Sequence, residues 1–194
     1  MARFQPIRQT LAGLAIQAEA QAGAALTFTR VQIGDGIAPA AYGAVLGTDE
    51  PLDLDDVVSP VRAAAIISVD VVGLGRARVR AMADNRDAAL PFVVRELGIF
   101  ATDPVDGVEK LYAYTNAGDG FDSIPADDGS PPTELVYDLM TIIGAAQNVT
   151  AGFNSQVWAS VEALETLQEN TITTLAALLA LQASTFNRHI EGML

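Results

Sequence analysis

The stretch Leu26-Thr27-Phe28-Thr29-Arg30-Val31-Gln32-Ile33, closed by Gly34-Asp35-Gly36, decides how the rest of the chain is read. Apolar and polar residues alternate along it, the period-two signature of a strand with one buried face. The glycines supply the positive-φ backbone a tight turn requires, so the strand stops there. Upstream, Leu11, Leu14, Ala15, Ala18, Ala22 and Ala25 recur at three- and four-residue spacing. That periodicity predicts an opening helix, placed at residues 8–23, which Thr10 can cap and Gly23 can stop. Its face is mostly alanine, so the helix is expected to lie shallowly on a neighbouring surface.

Downstream of the turn an Ala- and Gly-rich loop leads into Asp49-Glu50-Pro51-Leu52-Asp53-Leu54-Asp55-Asp56, five carboxylates in eight residues. Val61 to Val72 and Ala77 to Met82 have strand composition on either side of Gly73-Leu74-Gly75. Arg76, Arg78 and Arg80 alternate with Ala77, Val79 and Ala81, so the three guanidinium groups should leave one sheet face and pair with the chain's carboxylates. Val93 to Tyr114 reads as a hairpin whose turn carries Asp106-Gly107, the strongest short-range turn signal. Residues 116–132 read as one long polar loop. A last strand follows, with Leu135, Tyr137, Leu139 and Thr141 on one face and Val136, Asp138, Met140 and Ile142 on the other.

Past Gly152 the pattern changes to helix. Trp158, Val161, Ile172, Leu175, Leu179 and Phe186 fall in one seam, and Val161, Leu164, Leu175 and Leu178 fit a second, overlapping one. Two seams widen the apolar face beyond a dimeric stripe, which favours three or more strands. Between Asn170 and Asn187 there is no charged residue, so this helix is expected to pack on its own copies. The fold class expected is α+β: an N-terminal helix, a mostly antiparallel β domain over residues 1–152, and a long C-terminal helix over 153–194 in a trimeric coiled-coil-like bundle.

Composition narrows the chemistry. The chain of 194 residues holds 11 Lys+Arg against 24 Asp+Glu, one His and no Cys, for a net charge of −13. Thiol nucleophiles, disulfides and Cys-based zinc sites are impossible, and a His-based centre would have to use His189 near the C-terminus. An acidic surface lacks the basic face that phosphate contacts need, so no nucleic acid is expected as partner. The start has no continuous apolar segment, and Thr171 to Phe186 falls short of the ~20 apolar residues of a membrane span, so neither export nor membrane insertion is expected. Asp119, Asp122, Asp127 and Asp128 share a loop, but their spacing lacks the alternating ligand pattern of a calcium loop, so no metal is assigned. No catalytic residue and no cofactor is assigned either; the expectation is a protein that is not an enzyme.

Two segments carry a resemblance. Thr10-Leu11-Ala12-Gly13-Leu14-Ala15, then Leu26 to Ile33 with Gly34, Asp35 and Gly36, resembles the start of the bacteriophage tail-collar fibre family, where a helix leads into a strand and a Gly-Asp-Gly turn. Phe92-Val93-Val94-Arg95-Glu96-Leu97-Gly98-Ile99-Phe100 is similar to that family's block of an Arg-Glu pair, an aliphatic residue, Gly, another aliphatic and Phe. The strand Glu134 to Thr141 leading to Val149-Thr150 is a third likeness; together they cover about residues 8 to 155.

The resemblance implies a virion part made in the host bacterial cytoplasm, the domain by which a tail fibre attaches to the baseplate, usually as a homotrimer. It gives Gly34, Asp35, Gly36, Arg95, Glu96, Gly98 and Phe100 as family-motif residues. With no repetitive shaft after residue 155, it implies a short tail fibre or a connector for a distal fibre or receptor-binding protein, in a phage or a tail-like contractile injection system. On residue grounds, Arg95 and Glu96 are neighbours on a strand and should point to opposite faces, each with its own partner. Gly98 signals a bulge or a close backbone approach, and Phe100 a core anchor. Two other readings stand beside this one: a secreted carbohydrate-binding β module, which would want more exposed aromatics, and a small hydrolase built on Asp or Glu.

Overall fold

A computed structural model describes residues 2–39 and 51–152. The chain divides into a unit Met1–Val157 and a second, Trp158–Leu194, and that second unit lies outside the described residues. The expected C-terminal helix and its seam (Trp158, Val161, Leu164, Ile172, Leu175, Leu178, Leu179 and Phe186) therefore fall outside them too. The α+β class is corrected. Of the described residues 49% are in strands and 8% are helical, with one short helix and no coiled-coil bundle among them, so the described fold is mostly β.

The elements run β1 (Arg8–Gln9), α1 (Leu11–Gln21), β2 (Leu26–Gly34), β3 (Pro60–Gly73), β4 (Arg76–Asp84), β5 (Phe92–Val94), β6 (Glu96–Thr102), β7 (Glu109–Asn116), β8 (Asp122–Ile124), β9 (Glu134–Ile142) and β10 (Val149–Ala151). The main sheet has the order β1-β7-β6-β2-β3-β4-β9, with β10 added to β2. All neighbours are antiparallel except β10, which runs parallel to β2 at Leu26 to Phe28. The long strand β3 is the corner. Pro60 to Ala64 pair with β2, and Ala65 to Gly73 pair with β4. The 116–132 stretch is not one loop, because β8 within it pairs with β5 as a separate two-stranded ribbon.

The sheet curls until its ends meet. Laid flat, β7 and β9 would be five strand spacings apart, about 24 Å. Instead the Tyr112 hydroxyl of β7 donates to the Ile142 carbonyl of β9 at 2.6 Å, and Gln9 of β1 donates to the same oxygen at 3.2 Å. Such curvature needs a tapered interior, and the sequence supplies it with mixed sizes. Ala64, Ala77, Ala81, Ala101 and Ala113 are buried beside Phe28, Leu97, Ile99 and Tyr112. The Ala-rich hydrophobicity thus has a use inside one chain. Phe28 and Tyr112 meet edge to face, ring centroids 5.3 Å apart.

Two local corrections follow from packing. In β2 the buried apolar residues are Leu26 and Phe28, then Val31 and Ile33, an interval of three that strict alternation cannot bridge. A register shift between Phe28 and Arg30 against β6 absorbs the extra residue and restores the inward phase. In α1 the buried face is Gly13, Ile16 and Ala20, whereas Leu11 and Leu14, expected inside, are 53% and 40% exposed. Gly13 decides this. A Cβ there would sit 1.9 Å from the Tyr112 carbonyl oxygen, so the helix backbone rests directly on β7 at that residue and no larger side chain fits. Thr10 does cap the helix: its hydroxyl oxygen accepts from Gly13 N at 2.9 Å. The hydroxyl itself donates to the Leu111 carbonyl.

Candidate functional site

The two motif segments meet at one carboxylate. In Glu96-Leu97-Gly98-Ile99-Phe100, side chains alternate between the sheet's faces, so Leu97 and Ile99 enter the main core and Glu96, Gly98 and Phe100 share the outer side. That outer side is covered by the returning chain at residues 51–59. Leu52 and Val57 pack with Phe100, Leu111 and Tyr114 in a second, smaller core. Leu52 is fixed by backbone bonds on both sides, its N–H to the Gln9 carbonyl and its carbonyl to the Leu11 N–H, each at 2.9 Å.

Glu96 is fully buried, and four donors replace the water its carboxylate has lost. Oε2 accepts from Gly36 N and Ser59 N, both at 3.0 Å. Oε1 accepts from Val58 N at 3.1 Å and from the Tyr114 hydroxyl at 2.6 Å. The Asn116 amide donates to the Tyr114 hydroxyl at 2.8 Å and to the Gly36 carbonyl at 3.2 Å, extending the network to the turn. The glycines of Gly34-Asp35-Gly36 are there because the carboxylate is. A Cβ on Gly34 or Gly36 would lie 2.4 or 2.6 Å from Glu96 Oε2.

Gly98 makes room for the covering chain. A Cβ there would meet Leu111 and Val57 side chains at 2.7 Å, which is the close approach its position in a strand signals; a register shift sits two residues on, between Ile99 and Phe100. Phe100 is 3% exposed, and the Arg30 guanidinium lies 3.7 Å over its ring. Arg95, which lies between β5 and β6, has its own partners: Nη1 donates to the Asp35 carbonyl at 3.3 Å, and the guanidinium lies 4.7 Å over Phe121. All seven motif residues are therefore brought together around the Gly34–Gly36 turn and the start of β6.

Glu96 so placed holds chain to chain. It clamps the exit of the 37–56 excursion at Gly36 and its re-entry at Val58 and Ser59, and with every lone-pair direction occupied and no exposure it offers nothing to a substrate. Sequence reasoning found Glu96 but missed Tyr114, Asn116 and residues 57–59. Tyr114 lies cross-strand from Gly98 and Asn116 from Glu96, so the hairpin register contained that pairing.

The remaining charges serve the surface. Arg78 pairs with Asp70 at 2.9 Å, and Arg80 grips Asp138 through two bonds of 2.7 and 2.9 Å, so two of the three arginines in the predicted row have carboxylate partners, whereas the Arg76 side chain has none among the described residues. Lys110 sits between Asp103 and Asp106 at 2.6 and 2.7 Å across the β6–β7 turn. Its hydrogen bond holds both carboxyls below the usual Asp range, with backbone N–H groups of Val105 and Val108 adding to this, and its own pKa is raised in return. Asp127 and Asp128 accept backbone N–H groups of their own loop, Gly129 and Ser130. Among the described residues no His, Asp or Glu group is arranged to hold a metal, and no helix is long and apolar enough to cross a membrane.

Comparison with family models, with curated proteins and with solved structures returns no match for this chain.

Proposed function

We propose that the chain is a structural component of a phage tail or tail-like contractile injection system: a short fibre or connector, three copies of which attach a fibre or receptor-binding module to the baseplate. One observation carries this reading. The Gly-Asp-Gly turn and the Arg-Glu-Leu-Gly-Ile-Phe block, which resemble the tail-collar landmarks and lie sixty residues apart, share a single buried carboxylate: Glu96 Oε2 accepts from Gly36 N at 3.0 Å. Residues that form one interlocked unit are expected to occur together, and that is how a family signature arises from physics rather than chance. In this reading the protein has no catalytic residue, binds no cofactor, nucleic acid or membrane, and resides in the virion.

The test is location. Antibody raised against the purified chain, applied to intact tail particles from the source strain, should place gold at the baseplate end. Label absent from particles, or spread over the sheath, refutes the assignment. Light scattering of the purified chain at micromolar concentration should give the mass of three copies; a monomer refutes the trimer and leaves the location to the gold label.

A further inference from the structure

Strand β9 ends the main sheet, and its register is with β4 alone. Which backbone groups point away from β4 follows from its last residues. Ile143 N donates to the Gly75 carbonyl at 2.8 Å, on the β4 side, so the residue before it faces the other way. The Ile142 carbonyl does so, accepting from Tyr112 and Gln9 where the ends of the curled sheet meet. Direction alternates along an antiparallel strand, so Met140 and Asp138 also turn N–H and C=O away from β4. These four groups have no hydrogen-bond partner among the described residues.

Natural sheets defend an open edge with short strands, proline or lysine. This edge is nine residues long and has neither proline nor lysine. Val136, Met140 and Ile142 on it are 48%, 43% and 50% exposed. An open groove of about 410 Å³ runs between Asp138–Ile142 and the segment Phe4 to Ile7. Phe4, Ile7, Met140 and Ile142 give it apolar walls. Asp138 lines it too, but both bonds from Arg80 compensate that carboxylate. The guanidinium of Arg76, cross-strand from Ile142, is left as the uncompensated charge at that end of the groove. Backbone donors and acceptors, apolar walls and one cation thus lie along a single edge.

We propose that this edge takes up an extended segment of a partner protein as an added strand, with apolar residues at alternate positions and an Asp or Glu for Arg76. Strand addition draws its affinity from main-chain bonds and its selectivity from alternate side chains. The acid sets the register. Elsewhere an acidic strand meets a chain with 24 Asp and Glu against 11 Lys and Arg, so Arg76 is where its charge is welcome. This contact stands apart from the tail assignment and needs no part of it.

Panning random short peptides on immobilised full-length chain tests the proposal. Recovered sequences should alternate apolar residues and share one acid, and on Arg76→Glu chain Lys or Arg should replace that acid. In fluorescence anisotropy the best peptide should bind Arg76→Glu about tenfold more weakly. Methylating one alternate set of its backbone amides should abolish binding, whereas methylating the other set should be tolerated. Met140→Pro blocks the edge from the protein side. The Met140 N–H makes no ladder bond, so Tm should hold while binding is lost. On the unaltered chain the peptide should slow amide exchange at Asp138 and Met140. No enrichment over Met140→Pro chain, equal effects of the two methylated sets, or protection only elsewhere overturns the proposal. So does self-association of the unaltered chain that Met140→Pro abolishes, because the occupant would then be a second copy.

Discussion

Replacing Glu96 should unlock the loop base before it harms the main sheet. In Glu96→Ala the Gly36, Val58 and Ser59 N–H groups and the Tyr114 hydroxyl all lose their acceptor. The bonds from Gly36 N and the hydroxyl are buried, whereas those from Val58 N and Ser59 N are part-buried. Two buried donors at about 1–3 kcal/mol each, with a smaller loss at the other two, give a cost of roughly 3–5 kcal/mol. Glu96→Gln keeps the shape but offers one oxygen. Turned toward Gly36 and Ser59 it serves two donors, and its NH₂ then faces Val58 N–H, so the cost falls to about 1–3 kcal/mol. Glu109→Gln is the control, because the half-exposed pair with Arg30 at 2.8 Å should be worth about 1 kcal/mol at most. Urea unfolding by far-ultraviolet dichroism gives the three values. Amide exchange should show protection lost at Gly36, Val58 and Ser59 while Val79 and Ile99 in the main core stay protected. If both Glu96 variants lie within about 0.5 kcal/mol of the parent, the size of an ordinary surface change, the carboxylate does not hold the loop and the reasoning fails.

Other perturbations test the remaining joints. Gly13→Ala should destabilise by about 2 kcal/mol in a urea melt, since pushing α1 off the Tyr112 carbonyl outweighs the ~1 kcal/mol that alanine gains in a helix; a stabilised variant would mean that the helix does not rest on β7. Tyr112→Phe removes the bond that joins the ends of the sheet and should cost about 1–2 kcal/mol. Burial raises the Tyr112 pKa, with the Gln9 bond opposing this, so its contribution holds below the ordinary tyrosine range and is lost as pH rises through the raised value. Ultraviolet titration should therefore show Tyr112 ionising only as the protein unfolds in alkali. At the β6–β7 turn the Asp103 and Asp106 pKa values are depressed, so the stabilisation by Lys110 is present above the unfolded Asp range and fades as pH falls through the lowered values. Urea midpoints of the parent and of Lys110→Met should converge in that acid window; a difference that persists there would show that Lys110 acts by packing rather than charge.

What the sequence disclosed follows the range of the interactions involved. The Asp106-Gly107 turn, the β3 and β4 strands about Gly73-Leu74-Gly75 and the two faces of β9 are set by neighbours a few residues away, and each was legible. The helix face was not. A weak, Ala-rich periodicity pointed to Leu11 and Leu14, but Tyr112, a hundred residues on, fixed the contact at Gly13. The one local clue was a glycine inside a helical pattern, which often marks a close approach. The α+β class rested on residues 153–194, beyond the described chain, while β8 and β10 are three-residue strands stabilised by partners far away, which no periodicity reveals. At the site, the adjacency of Arg95 and Glu96 implied separate partners, which they have. It could not say that chain from residues 51–59 would cover the outer face.

Burial without a counter-ion among the described residues is the property of Glu96 that carries meaning. A carboxylate can leave water when a cation or enough dipolar donors replace its hydration. Pairing with a cation would leave Glu96 tied to one side chain, whereas backbone donors tie it to the path of the chain itself. Three of its four donors are backbone N–H groups, from the turn that ends β2 and from the segment that enters β3. The side chains of Asp35, Val58 and Ser59 are thus free to vary as far as this clamp is concerned, while Gly34, Gly36 and Glu96 are not, because any Cβ at either glycine collides with the carboxylate. The motif is a statement about backbone geometry, and the clamp itself places no constraint of sequence or length on the chain between Gly36 and Leu52. An insertion there should leave the Glu96 bonds intact and the urea midpoint within about 1 kcal/mol of the parent, since each doubling of a loop costs only about 0.6 kcal/mol. A large loss on inserting a flexible segment after Ile37 would show instead that the length of chain between the turn and Leu52, which packs in the smaller core, is itself constrained.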